Sequence, residues 1–416
     1  MRPDRFRPAG IGGGGTRGAG NGLPDPALHE EKLSPGTKSL IILCGEPSGE
    51  AYAASVARAF RRRYPGVPME GIGSSALEAE GVRLFRDYGS ISVVGILEVV
   101  RHLPAVVSAL RDAKRRVGEP GVGALLLVDF PDFNFRVGRE AHRRGVPVIY
   151  YVPPQLWAWR GKRARELAAF TKGVVVPFPF EAPMLRESGV NVRFAGHPLL
   201  DELAPVLDAA PDPARFGIPG GKRVVGLLPG SRIGEIRAHL PVLVAAARRI
   251  ADAFPDVHFA VPLASPRFRD IVARGLLGTG LPVAVVEAGR HLLFRGMVTA
   301  ASASGTATLE LALLGVPPVI VYRTSALTYW IGKRMATVSS IGLPNLVAGE
   351  PFLPELLQAE FRPERVAGEI CALLADPARR DALAARCRSL RAALSGPGPS
   401  EAVVDMLAAQ GGGAWG

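Results

Sequence analysis

Short runs of β-branched and other apolar residues, each followed by an Ala-, Leu- and Arg-rich stretch of helical periodicity, recur along this chain. That alternation restricts it to parallel sheets covered by helices, so the expected fold class is α/β. The candidate strands form two series. The first comprises residues 39–44, 68–72, 124–130, 146–152, 174–178 and 192–195. An Asp- and Pro-rich stretch at 201–219 follows, and the second series comprises 223–228, 257–262, 283–286, 297–301 and 318–322. Beyond Pro363 the pattern is helical, with a break at 396–399. At 416 residues the chain exceeds what a single core organises. Two Rossmann-like units are therefore expected, at 38–200 and 201–375, facing each other across a cleft, with helices and tail at 376–416 returning to the first unit. Residues 1–37 contain an unbroken glycine run at 12–15 among scattered Gly, Pro and Arg. That composition cannot bury enough surface to order itself, and the segment is set apart as a disordered extension.

Composition narrows the class of protein. Hydrophobic residues make up 48% and charged residues 21%, which excludes disorder for the body of the chain. Cys44, Cys371 and Cys387 have no metal-ligand spacing and cannot all pair, which fits a reducing compartment; Cys44, inside an apolar run, reads as a small buried hydrophobe. No run reaches the roughly 18 apolar residues of a membrane span, and the N-terminus lacks a signal-peptide core, so a soluble or peripheral protein is expected. A net charge of +12 and a pI near 10.1 call for an anionic partner. Residues 101–170 hold 13 Lys or Arg against 6 Asp or Glu, beside an unusually apolar stretch. Basic charge next to apolar surface favours a membrane face over a nucleic-acid groove.

Several loops carry chemistry. The first strand runs into Gly45-Glu46-Pro47-Ser48-Gly49-Glu50 and a helix at 51–63, a turn that brings backbone N–H groups near a ligand or, as a plain βα turn, is capped by Ser48. Residues 91–110 form an apolar stripe that includes Val94, Ile96 and Leu97 and is split at Pro104; it is either a core helix or a wall for acyl chains. The strand at 124–128 delivers Asp129 to its carboxyl end, where a partly desolvated carboxylate can act as general base toward a sugar hydroxyl. Asp132 and Asn134 beyond it read equally as helix caps or substrate contacts. Trp157 and Arg160, in Pro-Pro-Gln-Leu-Trp-Ala-Trp-Arg, suit sugar or acyl-phosphate binding or domain packing. His197, after a strand, reads as a structural histidine more readily than as a base.

In the second series, the strand at 223–228 leads into Pro229-Gly230-Ser231-Arg232. Gly230 admits an anion to the backbone, the following helix supplies partial positive charge, and Arg232 can fork onto a diphosphate. Ser304-Gly305-Thr306 opens another helix with further N–H groups, and Glu310 can accept from ribose hydroxyls. The loop at 340–346 offers Asn345, whose amide either bonds uracil or a sugar or makes an ordinary Asx turn. The sequence contains no metal-ligand cluster and no DxD-type acidic pair, so neither a metal nor another cofactor is expected, and the departing anion is neutralised by Arg232 and helix dipoles.

Together GEPSGE, VVGILEVV, DFPDFN, PPQLWAWR, GHP, LLPGSR, ASGTATLE, Tyr322-Arg323 and LPNL resemble the bacterial lipid-A-disaccharide synthase family, GT-B-type inverting glycosyltransferases, over about residues 38–390. The resemblance implies transfer from UDP-2,3-diacylglucosamine to the 6-hydroxyl of 2,3-diacylglucosamine 1-phosphate, releasing UDP. It implies Asp129 as base; Gly230, Ser231, Arg232, Gly305, Thr306, Glu310 and Asn345 on the donor side; and Glu46 and Ser48 on the acceptor side. With them go Val94, Ile96, Leu97, Trp157 and Arg160 as acyl or acceptor contacts. It further implies work at the cytoplasmic face of the inner membrane, with no nucleic-acid partner; the oligomeric state is open, a homodimer included. This sequence has Pro47 where the family commonly has Ala, Glu50 where it commonly has Asp, and Gly71-Ile72-Gly73-Ser74-Ser75 where more glycines are usual. Two other readings fit part of the pattern. Another GT-B enzyme, a lipid-linked N-acetylglucosaminyltransferase or a UDP-sugar epimerase, would keep the nucleotide cradle without the acyl surface. A non-enzymatic basic protein binding membrane or nucleic acid would need neither.

Overall fold

The run VGALLLV at Val122–Val128 is buried along nearly its whole length, as a central strand with helices on both faces must be. In the computed structural model, which describes residues 38–45, 47–88, 96–154, 161–324, 340–411 and 415, it is β4 of a seven-stranded sheet. The others are β1 (Ser39–Leu43), β2 (Met69–Gly73), β3 (Val82–Asp87), β5 (Val148–Tyr151), β6 (Gly173–Val176) and β7 (Val192–Phe194). Their order is β3-β2-β1-β4-β5-β6-β7 and every pairing is parallel.

The second sheet contains β8 (Arg223–Leu228), β9 (Val257–Pro262), β10 (Val283–Val286), β11 (Met297–Ala303), β12 (Pro318–Tyr322) and β13 (Glu355–Leu357). Its order is β10-β9-β8-β11-β12-β13, again all parallel. The fold is thus α/β with two parallel-sheet units, as the alternation requires. Two edge strands were not foreseen. β3 is mostly half-buried and carries Arg83, Arg86 and Asp87, and β13 is three residues long; neither shows the apolar run that marks the inner strands.

The chain crosses between the units twice, and the crossings touch. The outward passage is the helix Pro198–Leu207, whose Leu199 and Leu203 pack with Phe294 and Leu309 of the second unit. The helix Pro377–Leu394 stays with the second unit through Cys387, Leu390 and Leu394. At the return, His197 N–H donates to Leu394 O at 2.9 Å and Gly398 N–H to Ala195 O at 3.0 Å. A Cβ on Gly396 would lie 2.2 Å from the Ala195 carbonyl carbon, so only glycine lets the two passes lie this close. The last helix, Pro399–Gly411, then buries Val403, Val404 and Leu407 against the core of the first sheet, among Leu40, Ile42 and Phe60. Trp415 meets the Phe60 ring edge-on at 5.3 Å.

One local expectation is corrected. The helix Ile96–Arg116 runs unbroken through Pro104, which stands on its exposed side, where water can replace a lost backbone hydrogen bond. Among the described residues no helix is long and apolar enough to cross a membrane.

Candidate active site

In each sheet the strand order reverses once, between β1 and β4 and between β8 and β11. Loops leaving the carboxyl ends of such neighbouring strands diverge, and the crevice they open is where ligands of parallel sheets bind. The turns at these two points are 44–45 and 129–130, ahead of the helices Pro47–Arg63 and Pro131–Arg143, and 229–232 with 304–305, ahead of the helices Ile233–Ala253 and Thr306–Leu313.

Asp129 and Phe130 both have φ of 49°, the left-handed region that side chains avoid. The surroundings impose it. Asp129 N–H donates to Tyr151 O at 3.2 Å, and its carbonyl accepts from Asn134 Nδ2 at 2.7 Å and Tyr150 Oη at 2.8 Å. Asn134 and Tyr150 are both fully buried, so the strained turn is held from beneath. Asn134 is therefore neither a cap nor a substrate contact: its amide fixes the backbone of Asp129. Asp132 is exposed in the first turn of the helix Pro131–Arg143 and pairs with Arg163 at 2.8 Å.

The first loop lies directly against this turn. A Cβ on Gly49 would stand 3.1 Å from that of Asp129, and one on Gly45 would strike the Phe130 ring at 2.3 Å. Glu50, buried in the first turn of the helix Pro47–Arg63, accepts from both the N–H and the hydroxyl of Ser74, the latter at 2.7 Å. Burial and the neighbouring Glu50 push the Tyr88 phenol up to about 12.

On the second sheet, Gly230 has φ of +121° and Glu235 lies so close that a Cβ would fall 2.5 Å from its Oε2. The amides of Ser231 and Arg232, read from sequence as open to an anion, already donate to Glu235 Oε2 at 3.0 and 3.2 Å, while Arg232 Nη1 takes Oε1 at 3.0 Å. The turn binds a carboxylate of its own chain, which shows both that its geometry suits an anion and that an incoming one must displace Glu235. Gly305 and Thr306 are exposed ahead of the helix Thr306–Leu313.

Two donor-side expectations need correction. Glu310 is only 3% exposed, with Oε1 held by Arg290 Nη2 at 3.1 Å and Oε2 by His291 Nε2 at 2.9 Å. A ribose would therefore meet a carboxylate shared with two cationic or polar partners, not an open acceptor. Asn345 is 1% exposed in the helix Leu343–Ala348. Its Nδ2 donates to Leu353 O at 2.9 Å and Glu355 Oε1 at 2.8 Å, and its Oδ1 accepts from Phe352 N and Leu353 N at 3.1 and 2.9 Å. All four bonds of the amide are made within the chain, leaving none for uracil. Glu355 also accepts from the N–H groups of Ile341 and Gly342, so this pair shapes the loop.

Tyr52, on the helix Pro47–Arg63, lies beside β5 and the start of the crossing between the units. Its ring lies 6.1 Å from that of Tyr151 and 6.5 Å from that of His197. Burial, then the charges of Glu202, Glu310 and Asp129, hold its phenol above the usual value, with Arg290 opposing. His197 Nδ1 accepts from Leu199 N–H at 3.1 Å and burial lowers its pKa to about 4, which makes it a neutral helix cap. Cys44 is fully buried, its thiol donating to Ile72 O at 3.3 Å, as expected of a packing residue.

Arg290, His291 and Tyr52 escaped the sequence reading, because each matters through a partner distant in the chain, whereas Glu235, three and four residues from the amides it holds, is given no role there. Glu46, Val94, Trp157 and Arg160 lie outside the described residues, as do residues 1–37 and the side chains of Ser48, Ile96 and Leu97.

Residues 40–397 match the family described as lipid-A-disaccharide synthetase. A lipid-A-disaccharide synthase of Geobacter metallireducens is 39% identical over 370 residues, covering 89% of this chain and 96% of that one. Among solved structures, a UDP-GlcNAc 2-epimerase from Neisseria meningitidis bound to UDP-GlcNAc superposes with a TM-score of 0.60 at 13% identity, over 89% of this chain and 99% of that one. The glycotransferase of kitacinnamycin superposes at 0.61 and 16% identity, over 90% and 99%. At such identities the two structures share the fold alone.

Proposed function

The chain belongs to the lipid-A-disaccharide synthase family and is a glycosyltransferase of lipid A biosynthesis, and on that footing we propose that Asp129 is its general base, with Pro229–Arg232 and Ser304–Thr306 receiving the UDP part of the donor. The donor is a UDP-sugar and the acceptor a lipid; in our reading they are UDP-2,3-diacylglucosamine and 2,3-diacylglucosamine 1-phosphate. The observation that carries the assignment is the strained Asp129 turn, held by buried Asn134 and Tyr150 at the carboxyl edge of β4.

Chemically, the Asp129 carboxylate removes the proton from the acceptor 6-hydroxyl as that oxygen attacks the anomeric carbon. The bond to the UDP phosphate breaks in the same step, so configuration inverts. Negative charge grows on the departing diphosphate, and Arg232 and the N–H groups of its turn are the nearest compensating charge once Glu235 gives way. Glu310 stays bonded to Arg290 and His291, so any contact it makes with the nucleotide is shared with them. We take the boundary at about 200 as the sequence reading has it and move the one set there at 375 to about 395, because the helix Pro377–Leu394 packs with the second unit, the first unit holding acceptor and the second donor. The chain acts, in this reading, at the cytoplasmic face of the inner membrane; acylated substrates support it, as do Lys114 and Arg136 in a surface depression where Arg139 and Arg143 are paired with Glu166 and Glu140.

The test is product analysis with paired donors. Asp129→Asn should abolish disaccharide formation from the acylated pair while UDP binding persists. Undiminished transfer in that variant, or turnover by the wild type of unacylated UDP-N-acetylglucosamine alone, would refute the assignment.

A further inference from the structure

The motifs Pro229–Arg232 and Tyr322–Arg323 leave the second sheet at β8 and β12, which flank β11 without touching. One side chain spans them. His239, in the helix Ile233–Ala253, is fully buried, with Nδ1 2.8 Å from Pro229 O and Nε2 3.1 Å from both the N and the O of Arg323. The Pro229 carbonyl only accepts, so Nδ1 carries a proton; Nε2 stands equally close to the N–H and the carbonyl of Arg323, and the ring bridges the two segments through either. The ring is packed by Tyr322 at 5.5 Å and Phe361 at 5.4 Å.

A second link runs parallel. Burial, then the charge of Glu235, the residue that occupies the Ser231 and Arg232 amides, raises the Tyr322 phenol, so the end of β12 also senses that turn. Arg323 itself is spent on the carbonyls of Phe361 and Gln358, which anchors the end of β12. Leu240, Leu243 and Val244 on the same helix are buried without polar atoms, so packing alone would be served by another apolar residue at 239. A buried imidazole with both nitrogens satisfied instead fixes where two main-chain segments stand relative to each other.

We infer that His239 is a positioning residue for the donor, setting the Pro229–Arg232 turn against the end of β12 so that its amides and Arg232 meet the diphosphate. This rests on the reading of that turn as the donor's phosphate site. His239→Phe keeps the ring volume and removes both hydrogen bonds. Its KM for the UDP-sugar and its Kd for UDP should rise about tenfold, with kcat and the acceptor KM within about twofold of wild type. His239→Asn, which can restore the bond to Pro229 O, should recover part of the UDP affinity. If His239→Phe fails to fold, His239→Asn and His239→Gln are compared by UDP titration. A loss confined to kcat, an equal loss in acceptor KM, or unchanged UDP affinity overturns the inference. Arg232→Ala separates it from its premise: if Arg232→Ala weakens UDP and the His239 variants do not, only the positioning role fails, and if neither weakens UDP the phosphate-site reading fails with it.

Discussion

The two turns assigned to catalysis solve one geometric problem in opposite ways. After β8 the left-handed position is Gly230, where the backbone itself is the working part and no side chain is needed. After β4 it is Asp129, followed by Phe130 in the same conformation, where glycine would be easier but would carry no carboxylate. The first solution is cheap and local. The second requires Asn134 from the next helix and Tyr150 from the next strand to hold the carbonyl in place. Where chemistry needs a side chain in a disfavoured backbone region, the cost is carried by buried partners elsewhere.

This contrast can be broken most sharply at Asp129. Asp129→Gly relieves the left-handed strain, so thermal stability should hold or rise, while transfer activity falls by about a thousandfold, the middle of the range that a general base supplies. A variant that kept its activity would end the comparison. Next in size is His197, at the joint between the two regions. Its folded pKa of about 4 lies below the usual 6.5, so the unfolded chain binds the proton more tightly. Stability from this residue is complete above pH 6.5 and is lost as pH falls toward 4, by roughly 3 kcal/mol at most. His197→Asn keeps a helix cap and removes the titration, and urea melts between those pH values should show a flatter slope.

Gly230→Ala should be the mirror image of Asp129→Gly. Its Cβ would stand 2.7 Å from that of Glu235, at a φ of +121°. A loss of about 2 kcal/mol in urea denaturation is expected, with weaker UDP binding. The smallest effect belongs to Tyr150→Phe, which removes one of two bonds to the Asp129 carbonyl and should cost about 1 kcal/mol. If the turn is held for chemistry, kcat drops in that variant more than KM for either substrate.

How much of this was legible follows from where each signal resides. The inner strands announce themselves because burial on two faces demands unbroken apolar runs, as in β4 and β8. β3, with Arg83 and Arg86 at a sheet edge, has no such demand on it. Asp129 and the Gly230 turn were visible from their position after a strand. What holds them was not: Tyr150 is 21 residues from Asp129, His239 is 84 from Arg323, and Glu310 is completed by a pair that precedes it by 20 and 19. Asn345 shows the converse. An exposed amide and a saturated one have the same letter, and only Leu353 and Glu355 in space decide between them.

The helix Pro399–Gly411 and Trp415 give the first unit a part that is synthesised only after the whole second sheet. Until those residues emerge, one apolar face of the first sheet and the flank of Pro47–Arg63 have no cover, although most of that sheet was synthesised far earlier. The enzyme is therefore not separable into an acceptor half and a donor half by a single cut. Any nascent chain stalled before the final helix presents an oily surface that chaperones would be expected to guard.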